Sequence, residues 1–171
     1  LDINPLEVIK FSNKHPRVNI LKPGCGVGGH CIAVDPWFIA SKFPDKTDLI
    51  QIARKVNLKK TKWVINKIIE KSNDLEKKIK KEVKVGILGL SFKPDVDDLR
   101  ESPAKLIASE LIKLNIKVIA YEPNIKSCKG IEVSELNNIN NEIDLAVFLV
   151  AHKEFKKLKI NKDKLDFCGL L

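Results

Sequence analysis

The 171-residue chain contains no methionine, one tyrosine and two tryptophans, and aromatic residues make up only 6% of it. No apolar run is long enough to cross a bilayer and no secretory leader pattern opens the sequence, so no membrane role is expected. Cysteine is scarce as well: Cys25, Cys31, Cys128 and Cys168 stand at irregular spacings. A chain of this size buries its own core without staples. Four such thiols therefore predict reduced cysteines in a cytoplasm, not a disulfide framework. A first residue Leu1, with methionine missing throughout, predicts a piece of something longer. The shortage of aromatics also bears on the formal charge of +9. The lysine runs at Lys77-Lys78-Ile79-Lys80-Lys81 and Lys156-Lys157-Leu158-Lys159 lack interleaved aromatics and any nucleic-acid module signature, so they read as solvated faces. No nucleic-acid partner is expected. The hydrophobic fraction of 44% is ordinary for a globular protein and argues against disorder.

What is present divides near residue 80. Before it, Asn4 can cap a short helix with Pro5 at its first position, and His15-Pro16 ends it. An extended piece, 17–21, leads into a glycine loop, 23–29, and a short helix is expected over 31–40. A long helical pattern follows over 47–73, with Leu49, Ile52, Ala53, Val56, Val64, Ile68 and Ile69 near helical spacing. That stripe is wider than a small domain covers by itself, so the helix is expected to bridge domains and to form a homodimer. Beyond residue 80, Val83–Leu90, Lys117–Tyr121 and Asp144–Val150 read as buried strands, with a helix starting at Ser102-Pro103. Apolar strands alternating with helices predict a doubly wound parallel sheet. The fold class is α/β: a helical dimerisation segment (1–80) followed by a Rossmann-like domain (81–171). A dinucleotide site in that second part is not expected. Gly86-x-x-Gly89 lacks the middle glycine of the fingerprint, and Glu122 lies well beyond the usual interval of about 20 residues.

The segment Gly28-Gly29-His30-Cys31-Ile32-Ala33-Val34-Asp35 concentrates the chemistry. Glycines let backbone N–H groups approach an anionic ligand. A cysteine attacks as thiolate, and a carboxylate close by can serve as acid or base. A buried structural cysteine in a turn is the alternative. Cys25, His30, Cys31 and Asp35 could be read as metal ligands, but five residues separate the cysteines and His30 and Cys31 project differently. No metal is expected.

Taken together, His15-Pro16-Arg17-Val18-Asn19-Ile20-Leu21, Pro23-Gly24 and Gly26–Ile39 resemble the UDP-glucose/GDP-mannose dehydrogenase family. The block Gly89–Pro103 (GLSFKPDVDDLRESP) resembles the same family's other signature, in the right order and at the right separation. The resemblance implies an NAD-dependent oxidation of a UDP-sugar C6 alcohol to a carboxylate, with the NAD domain before Leu1. It implies Cys31 as the nucleophile passing through a thiohemiacetal and a thioester, and Asp35, placed at i+4, as the acid that activates the hydrolytic water. It further implies Lys22, Gly24, Gly26 and Gly28 as a substrate cradle, Lys93 as a substrate contact, and Arg17 reaching the sugar nucleotide of the neighbouring subunit. Arg100 matches an arginine near the NAD pyrophosphate; an ion pair with Asp97 or Asp98 is the alternative. Cys25 and Cys168 depart from the pattern, Cys168 standing where relatives commonly carry a substrate-contacting arginine. His30 and Ile32-Ala33-Val34 resemble members acting on 2-acetamido sugars. The expected function is thus the sugar-nucleotide half of a dehydrogenase, inactive alone; the alternatives are a UDP-sugar-binding dimerisation module without turnover, or a member acting on UDP-glucose.

Overall fold

In the computed structural model, which describes residues 3–171, four short parallel strands lie in the order β2-β1-β3-β4. They are β1 Lys84–Leu88, β2 Lys117–Tyr121, β3 Leu145–Phe148 and β4 Asp163–Asp166. Helix α1 spans Pro5–Ser12, α2 Asp35–Lys42, α3 Asp48–Ile79, α4 Pro103–Lys113 and α5 Ile139–Glu142. Alternate residues of the apolar strands face opposite sides, and both sides are covered. Val85 and Ile87 of β1 pack with Val64, Ile68 and Leu75 of α3 and with Ile107 and Leu111 of α4. Leu88, Ile119, Tyr121 and Phe148 pack on the other side with Ile139 of α5 and with Phe155 and Ile160. The parallel α/β sheet expected from the strand pattern is present.

Helix α3 is longer than the expected 47–73 span. Leu75 continues its apolar row onto the sheet, so Asn73 and Asp74 do not end it. It stops at Lys80, which turns left-handed (φ 53°) with its N–H bonded to the Glu76 carbonyl. Its 32 residues extend about 48 Å. The second half covers the sheet, whereas Leu49 (81% exposed), Ile52 and Val56 in the first half face solvent.

Two local expectations differ from the structure. The helix expected over 31–40 starts only at Asp35, where Pro36 occupies a first-turn position that needs no N–H. Cys31 therefore sits in turns ahead of α2, and its carbonyl accepts the Val34 and Asp35 amides at 2.9 and 2.8 Å. Asp35 still follows Cys31 by one turn, closed by the second of those bonds, although only Asp35 lies within α2. Strand β4 was not legible as a strand: Asp163-Lys164-Leu165-Asp166 carries little apolar signal, because an edge strand paired only to β3 needs little.

The turn after β1 tolerates no side chain at Gly89. Its φ is +94°, and an added Cβ would lie 2.4 Å from Val150 Cβ. Gly89→Ala is expected to destabilise the chain by roughly 3 kcal/mol through strain and overpacking, read as a lower urea midpoint at unchanged slope.

Candidate functional site

A parallel sheet leaves a crevice where its strand order reverses, at the carboxyl ends of the two diverging strands. Here that point lies between β1 and β3. The cleft found there, about 530 Å³, is lined by Ser91–Pro94 after β1, Leu149–Ala151 after β3, Cys168 after β4, the loop 21–27, and Asn57 and Lys60 of α3. It contains three lysines, Lys22, Lys60 and Lys93, and no aspartate or glutamate. None of the three pairs with an acid among the described residues. Such a wall attracts a compact anion.

The loop 23–29 is held from two sides. On α3, the Asn57 side-chain carbonyl accepts the Val27 amide at 3.0 Å, and the Thr61 hydroxyl donates to the Cys25 carbonyl at 3.0 Å. On the other side the loop packs against the segment after β1, and the Gly29 amide donates to the Arg100 carbonyl at 3.0 Å. A Cβ on Gly28 would meet the Glu101 carbonyl oxygen at 2.5 Å and Phe92 Cβ at 2.9 Å; one on Gly26 would meet Thr61 Oγ1 at 2.8 Å. Those two glycines let protein pack on protein. Gly24 has open space where a Cβ would stand, and it lines the cleft.

The segment after β1 is fixed from beneath. The Glu122 carboxylate, at the end of β2, accepts the Leu90 and Ser91 amides at 2.8 and 3.1 Å. His152 lies 3.1 Å from both Glu122 and Ser91 through Nε2, and its Nδ1 accepts the Asp95 amide at 3.0 Å. Burial pushes the Glu122 carboxyl up. Hydrogen bonds from His152, Leu90 and Asn124 outweigh that, and it settles below its ordinary value. This carboxylate occupies two amides of the turn after β1 that an open dinucleotide turn would offer to phosphate. Asp95, His152 and Glu154 bring donor atoms within 4.8 Å of one another. His152 Nδ1 is already engaged by the Asp95 amide there.

Among the residues singled out from the sequence, the cleft unites Lys22, Gly24, Gly26 and Lys93. Arg17, Gly28, Cys31, Asp35 and Arg100 do not line it. Cys31 is exposed, two residues beyond the Gly29–Arg100 contact. Arg100 makes a two-pronged ion pair with Asp98, at 3.0 Å from Nε and 2.7 Å from the terminal nitrogen. That pairing holds Asp98 at about 2 and raises the guanidinium. Cys25 is buried at the cleft floor with its thiol pushed up to about 11 by burial, and burial with the neighbouring Asp166 raises Cys168 too. Neither is a thiolate at neutral pH. Lys60, Asn57, Glu122 and His152 were not anticipated as site residues. They lie far along the chain from both glycine-rich signatures, and only the acid at 122 carried any signal.

Residues 86–166 match the UDP-glucose/GDP-mannose dehydrogenase family, UDP binding domain, and residues 1–59 match that family's central domain. A UDP-N-acetyl-D-mannosamine dehydrogenase of Campylobacter jejuni is 46% identical over 98% of this chain and 42% of its own length. The chain thus spans about two fifths of the length of that relative. Among solved structures, a UDP-N-acetyl-mannosamine dehydrogenase from Staphylococcus aureus is 37% identical with a TM-score of 0.75, covering 99% of this chain and 41% of that one. The UDP-D-ManNAc dehydrogenase of Pyrococcus horikoshii is 29% identical with a TM-score of 0.81, with the same two coverages.

A carboxylate lowered in the folded state contributes stability above its unfolded pKa, about 4.3, and loses it as pH falls through the lower folded value. Glu122→Gln should therefore cost about 1–3 kcal/mol at pH 7. The gap to the unmodified chain should narrow below about pH 4, as measured by urea unfolding across pH.

Proposed function

The chain belongs to the UDP-glucose/GDP-mannose dehydrogenase family, and from that premise we propose that it is the substrate-side portion of a UDP-N-acetyl-D-mannosamine dehydrogenase. The family is one of nucleotide-sugar dehydrogenases. The observation that carries the reading is the acid-free, lysine-lined cleft at the switch point, built jointly by the two signature segments. In this reading Lys22 and Lys93 take the diphosphate of the UDP-sugar, and Gly24 admits it to the backbone. Phe92, with Lys93 Nζ 5.5 Å from its ring centre, offers an apolar wall.

The loop then carries the chain from the phosphate cleft to Cys31, where the terminal carbon of the sugar is placed. The Cys31 thiolate adds to the C6 aldehyde to give a thiohemiacetal, whose oxidation leaves a thioester. Asp35 takes a proton from water, the hydroxide attacks the thioester carbonyl, the C–S bond breaks and the sulfur recovers that proton from Asp35, and the carboxylic acid left behind ionises to solvent. NAD, which residues outside this chain would hold, would supply the hydride acceptor for the oxidation of the C6 alcohol to the aldehyde and for that of the thiohemiacetal. Arg100, committed to Asp98, borders that site, and Arg17 is assigned to the sugar nucleotide of a second subunit. In this reading a homodimer forms through the first half of α3, where Leu49, Ile52 and Val56 are exposed at helical spacing along one row. In this reading the chain by itself, without an NAD-binding domain, binds nucleotide without turnover. The reading places the enzyme in the cytoplasm; no helix among the described residues is long and apolar enough to cross a membrane.

Calorimetric titration should show UDP binding to the chain, weakened about tenfold by Lys93→Ala, with no NADH formed on adding NAD and UDP-N-acetyl-D-mannosamine. Absence of UDP binding, or NADH production by the chain alone, overturns the reading. Sedimentation should report a dimer that Ile52→Glu converts to a folded monomer.

A further inference from the structure

The mechanism above leaves one cation of the cleft unused. Lys60 lies on α3 between Asn57 and Thr61, the two residues that grip the glycine loop, so it shares the face that builds the cleft wall. Its ammonium sits 3.8 Å from the ring centre of Trp63, and no acid pairs with it among the described residues. Trp63 is itself braced edge-on by Phe167 at 5.8 Å, next to Cys168 of the cleft. Burial lowers the affinity of Lys60 for its proton, which is the cost of holding a cation away from water without a counter-charge. The two thiols at the cleft floor, Cys25 and Cys168, stay protonated and supply none.

We propose that Lys60 is a third phosphate-binding cation of the cleft, parked on the face of Trp63 until the diphosphate of a nucleoside diphosphate arrives. The proposal rests on the UDP-sugar reading and deepens it. Lys22 and Lys93 belong to loops, whereas Lys60 projects from a 32-residue helix anchored in the core. It therefore fixes where the phosphates lie relative to the sheet. An aromatic face holds a cation more weakly than a charged phosphate does, so the ammonium transfers from ring to ligand without leaving the cleft. The lysine provides charge that is not matched by acid, and the ligand provides the match.

The test is calorimetric titration of the 171-residue chain with UDP and, separately, with uridine, together with the indole N–H resonance of Trp63. Lys60→Met should weaken UDP at least fivefold and leave uridine unchanged. Lys60→Arg should retain UDP affinity, and Lys62→Met should bind UDP normally. In the unmodified chain UDP should shift the Trp63 indole signal, and uridine should not. Lys60→Gln, with its melting temperature recorded, serves as a second variant should the methionine disturb the helix. UDP affinity unchanged in both neutral variants, or an equal loss for uridine, overturns the proposal while UDP binding by the unmodified chain leaves the functional reading standing. Failure of the unmodified chain to bind UDP overturns both.

Discussion

Behind the first turn of the sheet, a buried carboxylate accepts two backbone amides that an open nucleotide-binding turn would leave free, and the geometry of the cleft follows from that arrangement. Glu122 fastens Leu90 and Ser91, and His152 ties the same turn to Asp95. An uncompensated carboxylate at this depth would cost several kcal/mol, so the hydrogen bonds around it are obligatory. The segment that follows, Phe92–Pro94, forms a wall of the cleft. The turn after β1 of this Rossmann-like sheet is thereby tied down, with Lys93 beside it in the cleft wall.

The second requirement is close approach. The glycine loop and the segment after β1 touch so tightly that Gly28 has no room for a methyl group beside Glu101 and Phe92. Helix α3 closes the arrangement from the third side through Asn57 and Thr61. One helix thus has two jobs along its length. Its second half shields the sheet with Val64, Ile68 and Leu75, and its first half aligns the loop and offers an apolar row outward.

The four cysteines illustrate how burial sorts chemistry that composition leaves mixed. Cys25 and Cys168 line the cleft, yet burial keeps their thiols protonated. Cys31 is exposed on the turns before α2, outside the lysine-lined cleft. Under the proposed function, a ligand spanning both places is extended, with its anionic part among the lysines and its reacting carbon at the far end.

The parallel sheet, its strands β1 to β3, the capped start of α4 and the two glycine-rich segments were all legible in the sequence, since each rests on local signals. Apolar strand runs, Ser102 before Pro103 and clustered glycines are properties of neighbours in the chain, although the residues that leave Gly28 and Gly89 no room for a side chain come from elsewhere in it. Strand β4 was not, because its pairing comes from β3 and not from its own residues. The start of α2 was misplaced for a related reason: Pro36 sets the first turn, and the apolar residues before it suggested a longer helix. What only the tertiary structure decided is which side chains meet. Lys22, Lys60 and Lys93 are separated by tens of residues, and Glu122 and His152 by 30. Contacts of that kind are set by the folding of α3 onto the sheet and by the strand order at its switch point, and no periodicity in the chain encodes them.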